Sequence, residues 1–220
     1  MHRFKGRGKE IIRRHRHYWA QPTFYTAALL SAVLFALSIV ANTYAGVYAT
    51  EQASNSVTDI ILSNTPVFDI DGFFVYGVFF LIGFIFLLLL AHPKRIPFTL
   101  HSLTLFYVIR AGFVSLTHLG PYPLHATLDF TNRFVLLLFG GNDLFFSGHV
   151  GAPFLMALLF WKEKLLRYIF LAWSVFFAVV VLLGHIHYSI DVASAFFISF
   201  CIYHLALWLF PRERELFVSK

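Results

Sequence analysis

His187 and Asp191 stand four positions apart in Gly184-His185-Ile186-His187-Tyr188-Ser189-Ile190-Asp191-Val192, between two long apolar runs. If residues 187 to 191 open a helix, this spacing puts the imidazole and the carboxylate on one face. The carboxylate then orients the ring and stabilises its charged form, which is how a histidine is activated. A second histidine follows a serine and a glycine in Ser147-Gly148-His149. Phosphoryl transfer needs a nucleophile, a proton donor for the leaving oxygen and positive groups around the phosphoryl oxygens. The chain offers each. His187, held by Asp191, can attack phosphorus, while His149 protonates the departing alkoxide and later deprotonates an acceptor alcohol. Arg110 lies inside an apolar run, where a charge costs roughly 2.5 to 3.5 kcal/mol on insertion scales, a cost that binding a phosphate would offset. Ser147 and Gly148 supply a hydroxyl and a close backbone approach at a helix start, where free N–H groups favour anions.

The elements that must position these groups are membrane spans. With 59% hydrophobic residues, 28 Phe and only 13% charged residues, the 220-residue chain does not describe a water-soluble domain. Apolar runs fall at about 24 to 47, 73 to 92, 97 to 119, 146 to 161, 166 to 184 and 188 to 210, each near the roughly 20 residues a bilayer requires. The expected fold is therefore all-α, a polytopic bundle of six transmembrane helices. The first run is longer than the roughly 7 to 15 residues of a signal core, so it reads as a retained anchor. Three segments follow: a basic amino-terminal stretch over 1–20, a membrane catalytic domain over 21–210 and a tail over 211–220.

Charge sets the expected orientation. The net charge of +6 owes most of its excess to seven Lys/Arg within residues 3 to 16, directly before the first span. Such a juxtamembrane stretch fits attraction to anionic lipid rather than to nucleic acid. Lys94 and Arg95, then Lys162, Lys164 and Arg167, then Arg212, Arg214 and Lys220 fall in alternate connections and the tail. With six spans all of these lie on one side, which places both termini in the cytoplasm. His149, His187 and Asp191 then meet at the opposite face, toward periplasm, lumen or exterior, with Arg110 and Thr117 approaching the same rim. The lone Cys201 excludes an intramolecular disulfide framework. Nothing in the sequence sets an oligomeric state.

Ser147-Gly148-His149 followed by His187-Tyr188-Ser189-Ile190-Asp191 resembles the second and third signatures of the type 2 phosphatidic acid phosphatase (PAP2) superfamily, and more closely its sphingomyelin synthase branch. Pro66-Val67-Phe68-Asp69 is similar to that branch's Pro-Leu-Pro-Asp motif. The stretch from Arg110 to Pro121 is similar to its Arg and Thr-x-Leu-Pro-Pro segment, and Asp143 to His149 to its Asp-x-x-x-Ser-Gly-His. The resemblance implies a six-helix PAP2-type bundle with a triad of His149, His187 and Asp191. It also implies transfer of a phosphocholine- or phosphoethanolamine-like head group to a lipid alcohol such as ceramide or diacylglycerol, through a phosphohistidine. Arg110, Ser147, Gly148, Asp143, Thr117, Tyr188 and Asp69 are its substrate-side residues, and it requires no metal or other cofactor. Val181 stands where the phosphatase pattern carries an Arg, six positions before the nucleophile, which favours the synthase branch over a phosphatase.

Plainer roles compete. Arg110 is also suited to a helix-to-helix ion pair with Asp143 or Asp129, and Asp69 to a helix cap. His92, His101, His125 and His204 read as packing or interfacial residues, whereas His118 and His185 stand between packing and function. A lipid phosphatase would share the chemistry as far as the phosphohistidine. A His/His/Asp metal site and a non-catalytic lipid transporter or scaffold are the alternatives of other classes.

Overall fold

The computed structural model describes residues 2–126 and 144–219, with no strand among the described residues. Its helices are α1 (His2–Trp19), α2 (Pro22–Glu51), α3 (Asp71–Ala91), α4 (Ile96–Leu116), α5 (Gly148–Leu159), α6 (Lys164–Leu183), α7 (Ser189–Leu209) and α8 (Pro211–Val218). Short 3-10 turns at Leu62–Asn64 and Pro93–Arg95 complete the regular structure of the described residues. Proline opens α2, α4 and α8, where its missing N–H has no intrahelical partner to lose and its fixed φ suits the first turn.

Among the described residues, five helices are long and apolar enough to cross a membrane: α2, α3, α4 with its 3-10 lead-in, α6 and α7. Exposed large apolar side chains line them, among them Leu37, Tyr44, Phe80, Leu87, Val175 and Phe197. Hydrocarbon, not water, accommodates such surfaces. The chain is thus a polytopic integral membrane protein.

The fourth expected span, 146 to 161, yields only the 12-residue α5. At about 1.5 Å per residue it is roughly 18 Å long, short of the ~30 Å hydrocarbon core. Its start is set by Phe145 and Phe146, whose φ values of 85° and 22° cannot continue a right-handed helix. The apolar run also reports burial. Val150, Leu155, Met156 and Ala157 have no exposed surface, as expected of a helix that is apolar all round. Ser174 Oγ donates to Val150 O (2.9 Å) and Ser199 Oγ to Gly151 O (3.2 Å), tying α5 to α6 and α7. A Cβ at Gly151 would come within 2.8 Å of both Phe106 and Ser199, so glycine permits this packing.

α2 packs along α4. Phe24, Ala28, Ser31, Phe35, Ser38, Asn42, Ala45 and Ala49 alternate by four and three along its contact face, and most are small. Small residues let helix backbones approach closely where lipid supplies no hydrophobic drive. Ser31 and Ser38 satisfy their hydroxyls on carbonyls of their own helix.

Both basic termini are helical, which the sequence reading leaves open, and both cap the same end of the bundle. His15 Nε2 bonds Leu90 O at 2.7 Å, and Arg14 Nη1 donates to His92 Nδ1 at 3.3 Å. At the other terminus Phe217 packs edge-on against Phe98, while Arg95 lies over Phe160 and Phe217 and pairs with Glu163 at 2.6 Å.

The opposite end is closed by loop-to-loop bonding. Residues 52–70 run beside the 117–122 segment: Ser54 N–H donates to His118 O (2.7 Å) and Gly120 N–H to Asn55 O (3.3 Å). A Cβ on Gly120 would lie 2.2 Å from Ser54 O, a backbone atom that cannot step aside. Gly120→Ala is expected to separate the two strands of chain and lower stability by about 1–3 kcal/mol, the usual cost of overpacking. Thermal unfolding of the detergent-solubilised variant beside wild type measures this.

Candidate active site

Two backbone devices bring the histidine motifs together. α6 ends in a Schellman arrangement: Ile186 N–H donates to Val181 O (2.9 Å) and His185 N–H to Leu182 O (3.1 Å). His185 fills the left-handed position, at φ 53°, that glycine usually takes. Together with Phe145 and Phe146, this makes three positive-φ non-glycine residues among the described residues, all close before the two histidine motifs. Such conformations cost about 1–3 kcal/mol each and collect at functional sites. The second device is the Ser147 N–H, which donates to Asp191 O at 3.0 Å and joins the start of α5 to the first turn of α7.

α7 begins at Ser189, with Tyr188 as its N-cap, so His187 precedes the helix instead of opening it as the spacing had suggested. The pair meets all the same. Asp191, in the first turn, accepts the Tyr188 N–H at 3.1 Å and His187 Nδ1–H at 3.2 Å on one oxygen, Oδ2. A carboxylate can only accept, so Nδ1 carries the proton and the lone pair lies on Nε2. His187 and Asp191 are 2% and 0% exposed, and their bond is shielded from competing water.

His149 is half-buried in the first turn of α5. Its ring centroid lies 6.4 Å from that of His187, 4.5 Å from Phe74 of α3 and 5.9 Å from Phe177 of α6. Pro153 lacks the N–H that would bond the His149 carbonyl, which loosens the helix at this residue.

Arg110 sits on the inner face of α4, 2% exposed. Its Nε donates to Phe146 O (3.2 Å) and Nη1 to Asn42 Oδ1 of α2 (3.0 Å). A Cβ on Gly148 would stand 3.0 Å from Arg110 Nε, so glycine lets the guanidinium lie against the backbone of the Ser-Gly-His motif. Ser147 is fully buried, and its Oγ bonds no group among the described residues. Arg110, Ser147, Gly148, His149, His187 and Asp191 therefore form one cluster.

The remaining expected residues lie around the cluster. Thr117 Oγ1 donates to Phe113 O (3.0 Å) and Leu144 O (3.3 Å), closing the end of α4. Tyr188 buries its ring and donates its hydroxyl to Gly120 O (2.8 Å). Asp69 is exposed and accepts the Asp71 N–H at 3.2 Å, at the start of α3. Asp143, and with it Asp129 as a partner for Arg110, lies outside the described residues. Of the two undecided histidines, His185 donates from Nδ1 to Leu124 O (2.8 Å) and His118 meets Tyr48 edge-on. Among the described residues no group of three or more His, Cys, Asp or Glu is arranged to hold a metal ion.

Two residues escape the sequence reading. Asn42 was detectable as an amide inside an apolar span, the kind of residue that bonds across helices. Asp59 had no such signal, being one of four acids in a connection without Lys or Arg. It is nonetheless buried. Burial works against its ionised form, but hydrogen bonds from Ser189, Leu62 and Ile61 outweigh that and hold its carboxyl below the usual range.

A membrane-embedded helical bundle gathering two histidines, a carboxylate and an arginine at one end defines a class of protein suited to phosphoryl chemistry. Residues 140–208 match the family model for the PAP2 superfamily C-terminal region, a stretch that contains His149, His187 and Asp191. The match covers less than half of the chain and supports membership of the PAP2 superfamily, whose members are typically phosphatases or phosphotransferases. No significant match was found among curated proteins or solved structures.

Proposed function

We propose that the chain is a membrane lipid phosphotransferase of the sphingomyelin synthase-like kind. It moves a phosphorylated head group from a glycerophospholipid to a lipid alcohol such as ceramide or diacylglycerol. The observation that carries this reading is the pair of imidazoles 6.4 Å apart, one of them fixed by a buried carboxylate. That separation is near enough for a single phosphoryl group to touch both rings.

In the first half-reaction His187 Nε2 attacks phosphorus, the bond from phosphorus to the glycerolipid oxygen breaks, and His149 gives its proton to that oxygen. The head group is then held on His187 through a P–N bond. In the second half-reaction the acceptor hydroxyl oxygen attacks phosphorus, His149 takes its proton, and the P–N bond breaks. Both histidines are restored. Asp191 keeps the proton on Nδ1 and stabilises positive charge as the ring becomes substituted. Arg110, Ser147 Oγ and the backbone N–H groups at the start of α5 serve the phosphoryl oxygens. The distribution of Lys and Arg supports a site on the non-cytoplasmic face with both termini inside, and the basic α1 suits an anionic leaflet.

The test uses the purified chain in vesicles with phospholipid labelled in its head group, with and without ceramide or diacylglycerol. A labelled product that forms only when the lipid alcohol is present is the expected result. Free labelled head group or phosphate in equal amounts with and without the alcohol would instead make the chain a hydrolase, with water resolving the intermediate.

A further inference from the structure

We propose that Asp59 is a positioning residue for the His187–Asp191 pair, gripping the first residue of α7 from the loop ahead of α3. Its carboxylate accepts four hydrogen bonds. On one oxygen it takes Ile61 N–H (2.9 Å) and Leu62 N–H (3.1 Å), and on the other Ser189 N–H (2.7 Å) and Ser189 Oγ–H (2.8 Å). The side that faces α7 has the shorter contacts.

The importance of this grip follows from where the catalytic backbone is weakest. Between α6 and α7 the chain has only residues 184–188 in which to reverse direction. His187 N–H reaches Val181 O at a marginal 3.5 Å. His187 thus depends on its neighbours for its position. On the α6 side it is fixed by the Schellman bonds of His185 and Ile186. On the α7 side the Ser189 N–H belongs to the first turn and has no carbonyl one turn back to bond. Asp59 satisfies it, and its negative charge suits the positive end of the helix. Tyr188 adds a second tie to the same loop, accepting Val57 N–H at 3.3 Å while donating to Gly120. Asp191 can hold the ring of His187 only if both ends of this five-residue segment stay in register, and Asp59 fixes one end.

Asp59 is 7% exposed. Four donors consume its acceptor sites, so it acts through Ser189 and not on substrate. Asparagine there would turn an N–H₂ toward at least one existing donor. Glutamate keeps the charge and, with one more methylene, can regain part of the grip.

The proposal rests on the phosphotransferase reading, so its test has one readout that needs turnover and one that does not. In vesicles, Asp59→Asn is expected to lower kcat by about 10- to 100-fold, the usual effect of removing an outer partner of an oriented histidine, with KM for phospholipid within about twofold of wild type. Asp59→Glu should recover part of kcat. Ser189→Ala, which keeps the backbone bond, should lose less than Asp59→Asn. In the resting protein, the low-field proton of the His187–Asp191 hydrogen bond, assigned by its loss in His187→Gln, should move or broaden in Asp59→Asn. Unchanged kcat and an unchanged resonance in folded Asp59→Asn would overturn the proposal. So would equal losses in the Asn and Glu variants, or a loss confined to KM. A wild type inactive on lipids whose resonance still responds to Asp59→Asn would instead reject the phosphotransferase reading and leave the positioning role intact.

Discussion

His187→Ala is expected to abolish head-group transfer and hydrolysis together, with a loss of at least about 10³-fold in kcat, because in the proposed mechanism its Nε2 forms the covalent intermediate. Asp191→Asn should leave the protein folded yet cost about 10²- to 10⁴-fold, since an amide can present N–H to Nδ1 and favour the wrong tautomer. The two losses should not multiply in the double variant: once Nε2 is gone, orienting the ring has no further value. The intermediate separates this mechanism from direct displacement. Stopped in acid-free detergent, wild type should carry head-group label covalently, released by acid as P–N bonds are. His149→Ala, which lacks the group that deprotonates the acceptor, should bind label slowly and shed it more slowly still. His187→Ala should carry none. Retained turnover in His187→Ala would remove it as nucleophile, and a label that survives acid would point to an oxygen or sulfur nucleophile instead.

The parts of this site that obey local rules were legible in the sequence. Apolar runs located α2, α3, α4, α6 and α7 to within about a turn, because long apolar helices are required wherever lipid leaves no other partner for the backbone. The same rule leaves the fourth span unconfirmed, because only Gly148–Leu159 of that run is helical. A short helix sheathed by protein and a span facing lipid are both apolar all round, and only the positive φ of Phe145 and Phe146 distinguishes them. The four-residue spacing of His187 and Asp191 foretold their contact, although the reason differs. The carboxylate reaches back from the first turn of α7 to a residue outside the helix. What stayed hidden depends on chain segments far apart in sequence. Asp59 meets Ser189 across 130 positions and Asn42 meets Arg110 across 68, and no periodicity within a segment records such pairs. Tyr188 carries a second role that its motif does not announce. Its place in a motif points to the substrate side, and its hydroxyl also ties the loops over the site.

Arg110→Lys tests whether the buried guanidinium serves the phosphoryl group or only the bundle. The side chain joins three pieces: α4 on which it stands, Asn42 of α2 and the Phe146 carbonyl ahead of the Ser-Gly-His motif. Its packing against Gly148 puts positive charge beside the first turn of α5, where N–H groups also point outward. Lysine keeps the charge but loses the planar fork, and its ammonium cannot bond Asn42, Phe146 and a phosphoryl oxygen in the same directions. The expected loss in kcat is about 10²- to 10³-fold, the scale of removing one preorganised donor from a developing anion. Asn42→Ala supplies the comparison. It removes an anchor of Arg110 and keeps the guanidinium, so it should cost about tenfold or less while disturbing the α2–α4 seam as much as Arg110→Lys does. A purely structural arginine predicts the reverse pattern: both variants would melt earlier, and their activity per folded molecule would match wild type. Measuring turnover and unfolding temperature on the same vesicle preparations decides between the two, because a lost phosphate contact lowers turnover in Arg110→Lys beyond Asn42→Ala while the two unfolding temperatures fall alike.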